Sequence, residues 1–247
     1  MVSNRSNTYT PRQLDALRWS AGLGAVTASA LARHEGLALA SARARLLALE
    51  RAGLVKRTRL LAERPTLFTV TRAGLRAAAV HGLEPCRVSV ANAPHAIVCA
   101  EAAAALEQAY PDHRVMGERE LRREEHEAGA PLASTVLGTG PDGAPALHRP
   151  DLVLWPNGPH ERLPVAVEVE LTVKAPARLL EICRAWARSR CVAGTLYLAA
   201  EPVERPLRRA IERERADERI ALVPLGVLAG GRRGQPQPPE HCIPGAA

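Results

Sequence analysis

Hydrophobic positions in the first third of the chain follow helical spacing and then strand spacing. Thr10-Pro11 places a capping residue before a proline at the first helical position, which predicts the start of the first of three helices. The third helix covers about residues 40–52 and ends at Gly53. Short strands are predicted over 54–59 and 67–71, with a closing helix over 75–80. This order describes a small helical domain that carries a β-hairpin.

The pattern changes after residue 93 to alternating strands and helices. Helices are predicted over 94–109, 176–190 and 205–218, and strands over 114–117, 151–155, 165–171, 195–199 and 220–225. The charged residues 118–127 predict a short helix or an exposed loop, and the Gly- and Pro-rich residues 128–150 predict a long loop. A hairpin followed by a strand-helix-strand crossover gives a mixed sheet with helices on its faces. We expect a linker over 83–93, a second domain over 94–229 and a disordered tail over 230–247.

The first domain, residues 10–82, closely resembles bacterial winged helix-turn-helix domains, and the strings LLALERAGLVKR and LFTVTRAGLRAA carry the resemblance. An α-helix fits the DNA major groove, and a wing reaches the phosphates beside it. The residues expected to contact DNA are Ser41, Arg43 and Arg45 on the third helix and Lys56, Arg57, Arg59 and Arg64 on the wing. Two alternatives remain open: these arginines form a solvated face, or the domain binds protein.

Charge is distributed unevenly in a way that favours this interpretation. Residues 1–85 hold 13 Arg and Lys but only 5 Asp and Glu, while the net charge of the whole chain is +7. The basic excess therefore lies in the N-terminal third, as expected for a module that binds double-stranded DNA. The chain has only two lysines, Lys56 and Lys174.

The five cysteines and the apolar content indicate a cytoplasmic protein. The cysteines form no Cys-x-x-Cys pair and their number is odd, so neither a disulfide framework nor a zinc site is expected. The N-terminus has no apolar core of a signal peptide, and no apolar run reaches the length of a membrane span. We therefore expect no membrane partner.

Acidic residues stand out on the strand predicted over 165–171. Glu168 and Glu170 are two positions apart, so they point to the same face, among valines. Two carboxylates in such a place are costly unless a cation compensates them, and Mg²⁺ or Mn²⁺ prefers such oxygen ligands. Asp151 begins the neighbouring strand and can reach the same site. The alternative is that both glutamates face solvent and pair with Arg149, Arg178 or Arg184.

This arrangement resembles the PD-(D/E)xK nuclease motif, with Pro150-Asp151 as its first part and Glu168 as its second acid. The third position, usually Lys, is Glu170 here, and Lys174 just beyond the strand is a candidate to swing back into the site. The resemblance implies a winged helix-turn-helix followed by a restriction-endonuclease-like α/β domain. It also implies Asp151, Glu168 and Glu170 as metal ligands and Lys174 as an electrostatic aid. His148, three residues before Asp151, is expected to be a loop histidine, and the alternative is that it acts on a leaving group or a phosphate.

The whole chain resembles the replication-relaxation family of plasmids and integrative elements. The resemblance rests on the winged helix, His95 at the start of a helix, GERELRRE at 117–124, RPD at 149–151 and EVE at 168–170. It implies a metal-dependent DNA endonuclease or nickase acting in replication or mobilisation of a mobile element. The alternative is a non-catalytic DNA-binding regulator or mobilisation accessory protein with a degenerate nuclease fold. A homodimer and a larger DNA-processing complex remain open as assemblies.

Overall fold

The computed structural model of the chain describes residues 9–60, 62–141, 143–158 and 162–229, which divide into two compact units, the first ending at Ala100 and the second beginning at Glu101. The predicted tail over 230–247 lies outside the described residues. No helix in the described ranges has both the length and the apolar content needed to cross a membrane.

The first unit contains the predicted series of three helices, a hairpin and a further helix. Threonines begin three of these helices, because the side chains of Thr10, Thr27 and Thr71 each accept a hydrogen bond from a backbone N–H of the first turn. The two strands pair antiparallel. The elements are α1 (Pro11–Leu23), α2 (Ala28–His34), α3 (Leu39–Arg51), β1 (Val55–Thr58), β2 (Leu67–Val70) and α4 (Arg72–Ala77).

The division between the units differs from the predicted linker over 83–93. It falls inside the next helix, α5 (Ala93–Ala109), which the sequence pattern placed wholly in the second domain. The first turns of α5 belong to the first unit because Ala93 and Ile97 pack in one apolar cluster with Ala25 and Leu67.

The second unit is a mixed α/β structure, as predicted. Its elements after α5 are β3 (His113–Gly117), α6 (Glu118–Ala128), β4 (Thr135–Thr139), β5 (Pro145–His148), β6 (Leu152–Pro156), β7 (Val165–Glu170), α7 (Pro176–Arg188), β8 (Gly194–Ala199), α8 (Glu201–Glu214), β9 (Ile220–Pro224) and α9 (Leu225–Ala229). Five strands form one sheet in the order β3-β6-β7-β8-β9. The pairs β3/β6 and β6/β7 are antiparallel, and β7/β8 and β8/β9 are parallel.

The prediction of a long loop over 128–150 is wrong in part. This segment contains the hairpin of β4 and β5, whose register shifts between Val136 and Gly138. Glycine and proline are frequent here and usually mark loops. The strands form nevertheless, and the Thr135 hydroxyl anchors them by donating to the carbonyl of Ala185 at 2.9 Å.

Helix α7 packs its apolar face into the core of this unit, which also includes Ala166 of the middle strand β7. Its apolar residues recur at helical spacing, and Leu179, Ile182, Cys183 and Trp186 are all buried in the main core of this unit. Every residue of β7 is buried, including its two glutamates. The strand that carries the predicted acidic residues is therefore a central strand covered on both faces.

Candidate functional site

Strands β6 and β7 bring Asp151 next to Glu168. Asp151 directly precedes β6, and Leu152, the first residue of β6, pairs with Val167 on β7. Oδ2 of Asp151 accepts a hydrogen bond from the backbone N–H of Val169 at 2.8 Å. The Asp151 carboxylate is thus held against the segment between the two glutamates.

Glu168 is only 5% exposed, and two side chains bind it. Nε2 of His148 lies 2.8 Å from Oε1 of Glu168, and the indole N–H of Trp186 donates to the same oxygen at 3.0 Å. The rings of His148 and Trp186 pack edge to face. Both hydrogen bonds from the described residues end on Oε1, so Oε2 is the oxygen of Glu168 that a cation could use.

Burial dominates the electrostatics of this carboxyl. It raises the pKa of Glu168, the hydrogen bond and charge of His148 oppose that rise, and the negative charge of Asp151 adds to it. Burial also raises the pKa of the Cys183 thiol to about 12 and that of the Tyr197 phenol well above its usual value. Thiol and phenol are therefore uncharged at neutral pH.

Lys174 folds back onto strand β7. Its ammonium forms an ion pair with Oε2 of Glu170, which is 5% exposed. Burial lowers the pKa of Lys174, whereas the charges of Glu168 and Asp151 raise it. Lys174 therefore brings a positive charge close to all three acidic residues.

The three predicted metal ligands do not converge on one point. Asp151, Glu168 and Glu170 all lie in the described part of the chain, yet their ligand oxygens are not all within 4.8 Å of one another. Glu170 is instead the partner of Lys174. The prediction of Glu170 as a third ligand is corrected accordingly, because a buried carboxylate takes the nearest cation, and here that cation is the lysine.

The alternative of solvent-facing glutamates paired with arginines is wrong. Both glutamates are buried. The three arginines considered as partners bind other carboxylates, since Arg149 pairs with Glu125, Arg178 with Glu181 and Arg184 with Glu214.

Glu125 on α6 supports the segment that leads to Asp151. Its Oε1 accepts hydrogen bonds from the backbone N–H groups of residues 132, 133 and 134, and its Oε2 binds Nε of Arg149 at 3.0 Å. Arg149 lies two residues before Asp151 and is held by this pair. Glu125 was not among the predicted residues, and its signal in the sequence is only the acidic run of α6.

His148 and Trp186 are the site residues that the sequence analysis undervalued. His148 is not a simple loop histidine, because it ends β5 and contacts Glu168. The indole N–H of a buried tryptophan needs a hydrogen-bond acceptor. This requirement could have predicted that Trp186 contacts a polar group in the core.

The first unit exposes most of the residues expected to contact DNA. Ser41, Arg43, Lys56, Arg57, Arg59 and Arg64 are exposed. Arg57 lies 3.2 Å from Glu50, and Arg59 donates to the carbonyl of Ala62 at 2.9 Å. Arg45 is a correction: its side chain is 18% exposed because it pairs with Glu35, so it does not extend from the solvent face of α3.

A groove of about 460 Å³ lies between α3 and the hairpin of the first unit. Arg43 and Arg57 line it on two sides, and the exposed side chain of Leu39 lies at the start of α3. The groove combines cationic and apolar lining in a single unit.

Comparison with known proteins adds no relative. No protein-family model, curated protein or solved structure matches this chain.

Proposed function

We propose that the chain is a DNA-binding endonuclease or nickase that depends on Mg²⁺ or Mn²⁺, with Asp151 and Glu168 as the metal ligands. The observation that carries the proposal is the buried carboxylate of Glu168 beside Asp151 and the ammonium of Lys174. A buried carboxyl with a raised pKa and specific charged neighbours is the usual character of a functional group.

The donor set fits a hard divalent cation. Asp151 and Glu168 offer carboxylate oxygens, which suit Mg²⁺ and Mn²⁺. Burial and the charge of Asp151 both disfavour ionised Glu168, and a cation would offset both costs. A bound cation would polarise a phosphoryl oxygen and lower the pKa of a bound water.

The side chains around the two ligands have separate roles in this proposal. His148 and Trp186 hold Oε1 of Glu168, so Oε2 is the oxygen that would bind a cation. Lys174 takes the role of the lysine that the PD-(D/E)xK motif carries two residues after its second acid, and its charge offsets the charge that develops on a phosphate. Glu170 holds Lys174 in place.

The first unit is proposed as the winged helix-turn-helix that binds double-stranded DNA. Arg43 on α3 and Lys56, Arg59 and Arg64 on the hairpin side are the proposed contacts, because they are exposed cations on adjacent elements. Membership of the replication-relaxation family, with a role in processing mobile-element DNA in the cytoplasm, is part of the same proposal.

One observation favours a second candidate, a DNA-binding regulator without catalysis. Each predicted acidic ligand has a protein partner, and the three do not converge within 4.8 Å in the described part of the chain. In that case the second unit is a scaffold.

A plasmid-nicking assay separates the two candidates. We expect the wild-type chain to convert supercoiled plasmid to the open circle with Mg²⁺ or Mn²⁺ but not with EDTA. Asp151→Asn keeps an acceptor for the Val169 N–H but removes the charge, so it should lose nicking and keep DNA binding. Glu212→Gln, a change at an exposed position of α8, is the matched control and should stay active. Tight binding with no nicking by the wild type would favour the regulator.

A further inference from the structure

A second groove, of about 470 Å³, lies within the second unit between β4 and the C-terminal half of α7. It shares no lining residue with the acidic cluster of Asp151, Glu168 and Glu170. Its lining includes Ser134, Thr135, Arg188, Ser189, Arg190 and Cys191.

The charge balance of this groove is positive. Arg184 also lines it but is neutralised by a two-bond pair with Glu214, at 2.8 and 3.0 Å. Its one carboxylate, Glu181, pairs with Arg178 at 2.8 Å. Arg188 and Arg190 are both exposed, and neither forms an ion pair with a described residue. Two guanidinium groups outside any ion pair thus remain beside the groove, although the charge of Arg188 also helps to lower the pKa of Glu214.

Buried hydroxyl groups in the same wall lack hydrogen-bond partners. Ser134 is 2% exposed, and among the described residues neither its Oγ nor Oγ of Ser189 has a partner. Buried polar groups in proteins nearly always have a partner, so such hydroxyls call for a bound group or ordered water. The exposed guanidinium groups of Arg188 and Arg190 favour an anionic ligand in the groove, and the two buried hydroxyls belong to residues of the same lining.

The groove lies beside the acidic cluster. Thr135 in its wall is paired across the β4/β5 hairpin with His148, and His148 contacts Glu168. A phosphate in the groove is therefore one strand away from the side chain that holds the proposed metal ligand.

We propose that this groove binds the phosphodiester backbone of the nucleic acid and positions it beside the acidic cluster. The inference rests on the proposed function, because it identifies how the second unit would hold that substrate. It assigns Arg188 and Arg190 as phosphate contacts independent of the first unit.

The test measures binding of a fluorescently labelled DNA duplex to the full chain without metal, over a range of salt concentrations. Arg188→Ala/Arg190→Ala should make the fall of log affinity with log salt shallower, and the magnitude of the slope should decrease by about two because each phosphate contact contributes about 0.9. Arg205→Ala/Arg208→Ala removes two exposed arginines from α8 and should leave the slope unchanged. The wild type and both double variants should have the same melting temperature.

A second readout uses Cys191, a free, half-buried cysteine in the groove wall. DNA should slow its alkylation by N-ethylmaleimide in the wild type and in the α8 control, but not in Arg188→Ala/Arg190→Ala. Equal slopes and equal labelling of Cys191 in the wild type and both double variants would overturn the proposed role of the groove. The nuclease proposal would still stand. An equal decrease of the salt dependence in both double variants would also overturn the proposed role of the groove. The same holds if inorganic phosphate protects Cys191 from alkylation but Arg188→Ala/Arg190→Ala binds DNA as the wild type does.

The outcomes also separate this inference from the proposed function. Absence of DNA binding by the wild type would overturn both. A groove-specific change of slope with protection of Cys191, in a chain that shows no nicking, would support the groove and overturn only the cleavage.

Discussion

Replacing Glu168 with glutamine is expected to slow metal-dependent nicking strongly and to raise the melting temperature of the metal-free chain. Glutamine keeps an oxygen that accepts from His148 and Trp186, so the packing survives. It removes a buried charge next to Asp151. Loss of one metal ligand should cost roughly a thousand-fold in rate, since metal-ion catalysis supplies several kcal/mol.

The gain in stability has a defined pH dependence. Burial raises the pKa of Glu168, so the folded chain keeps this proton to a higher pH than the unfolded chain, whose carboxyl has a pKa of about 4.3. The stability that protonated Glu168 contributes is complete below that value, and it is lost as pH rises towards the folded pKa. The advantage of Glu168→Gln should therefore grow from acid to neutral pH and reach roughly 1–3 kcal/mol.

Thermal unfolding in EDTA at several pH values checks this prediction, with Glu212→Gln as the exposed control. Adding Mg²⁺ should raise the melting temperature of the wild type but not of Glu168→Gln, because ligands stabilise only the chain that binds them. A variant less stable than the wild type at neutral pH would mean that Glu168 is a structural carboxylate.

Replacing Lys174 with methionine is expected to reduce nicking by about 100- to 1000-fold, the usual effect of removing one electrostatic contact to a transition state. It should also destabilise the chain by about 1–3 kcal/mol, because it leaves the buried carboxylate of Glu170 unpaired, a cost reduced by the partial exposure of Lys174.

The double variant Lys174→Met/Glu170→Gln separates the two effects. It removes both charges, so the melting temperature should recover while nicking stays low. Arg178→Met removes a neighbouring exposed cation and should keep activity. If nicking recovers together with stability in the double variant, Lys174 serves the fold rather than the reaction.

The strands and helices of the second unit were largely predictable because their hydrophobic patterns are local. The valines around Glu168 and Glu170 predicted a strand with both acids on one face, and that strand is β7. The hairpin of β4 and β5 was not predictable, because glycines and prolines there have the composition of a loop and its anchor, the bond from Thr135 to Ala185, spans fifty residues.

The partners of the charged residues were harder to predict than the elements that carry them. Arg45 was expected on a solvent face, and only the packing of α2 against α3 brings it to Glu35. His148 meets Glu168 across twenty residues of chain. Lys174 was named as a candidate for the site, but its choice of Glu170 depends on how the chain turns after β7, which residue spacing does not specify.

The most direct measurement is a titration of the metal-free chain with Mn²⁺, followed by the electron paramagnetic resonance signal of the free ion. We expect the wild type to bind Mn²⁺ at one site, and Asp151→Asn and Glu168→Gln to weaken that binding by at least about tenfold. Glu170→Gln should bind nearly as well as the wild type, because Glu170 holds Lys174 rather than the ion. Binding that is equal in the wild type and Asp151→Asn, or absent from both, would contradict the assignment of Asp151 and Glu168 as a metal site.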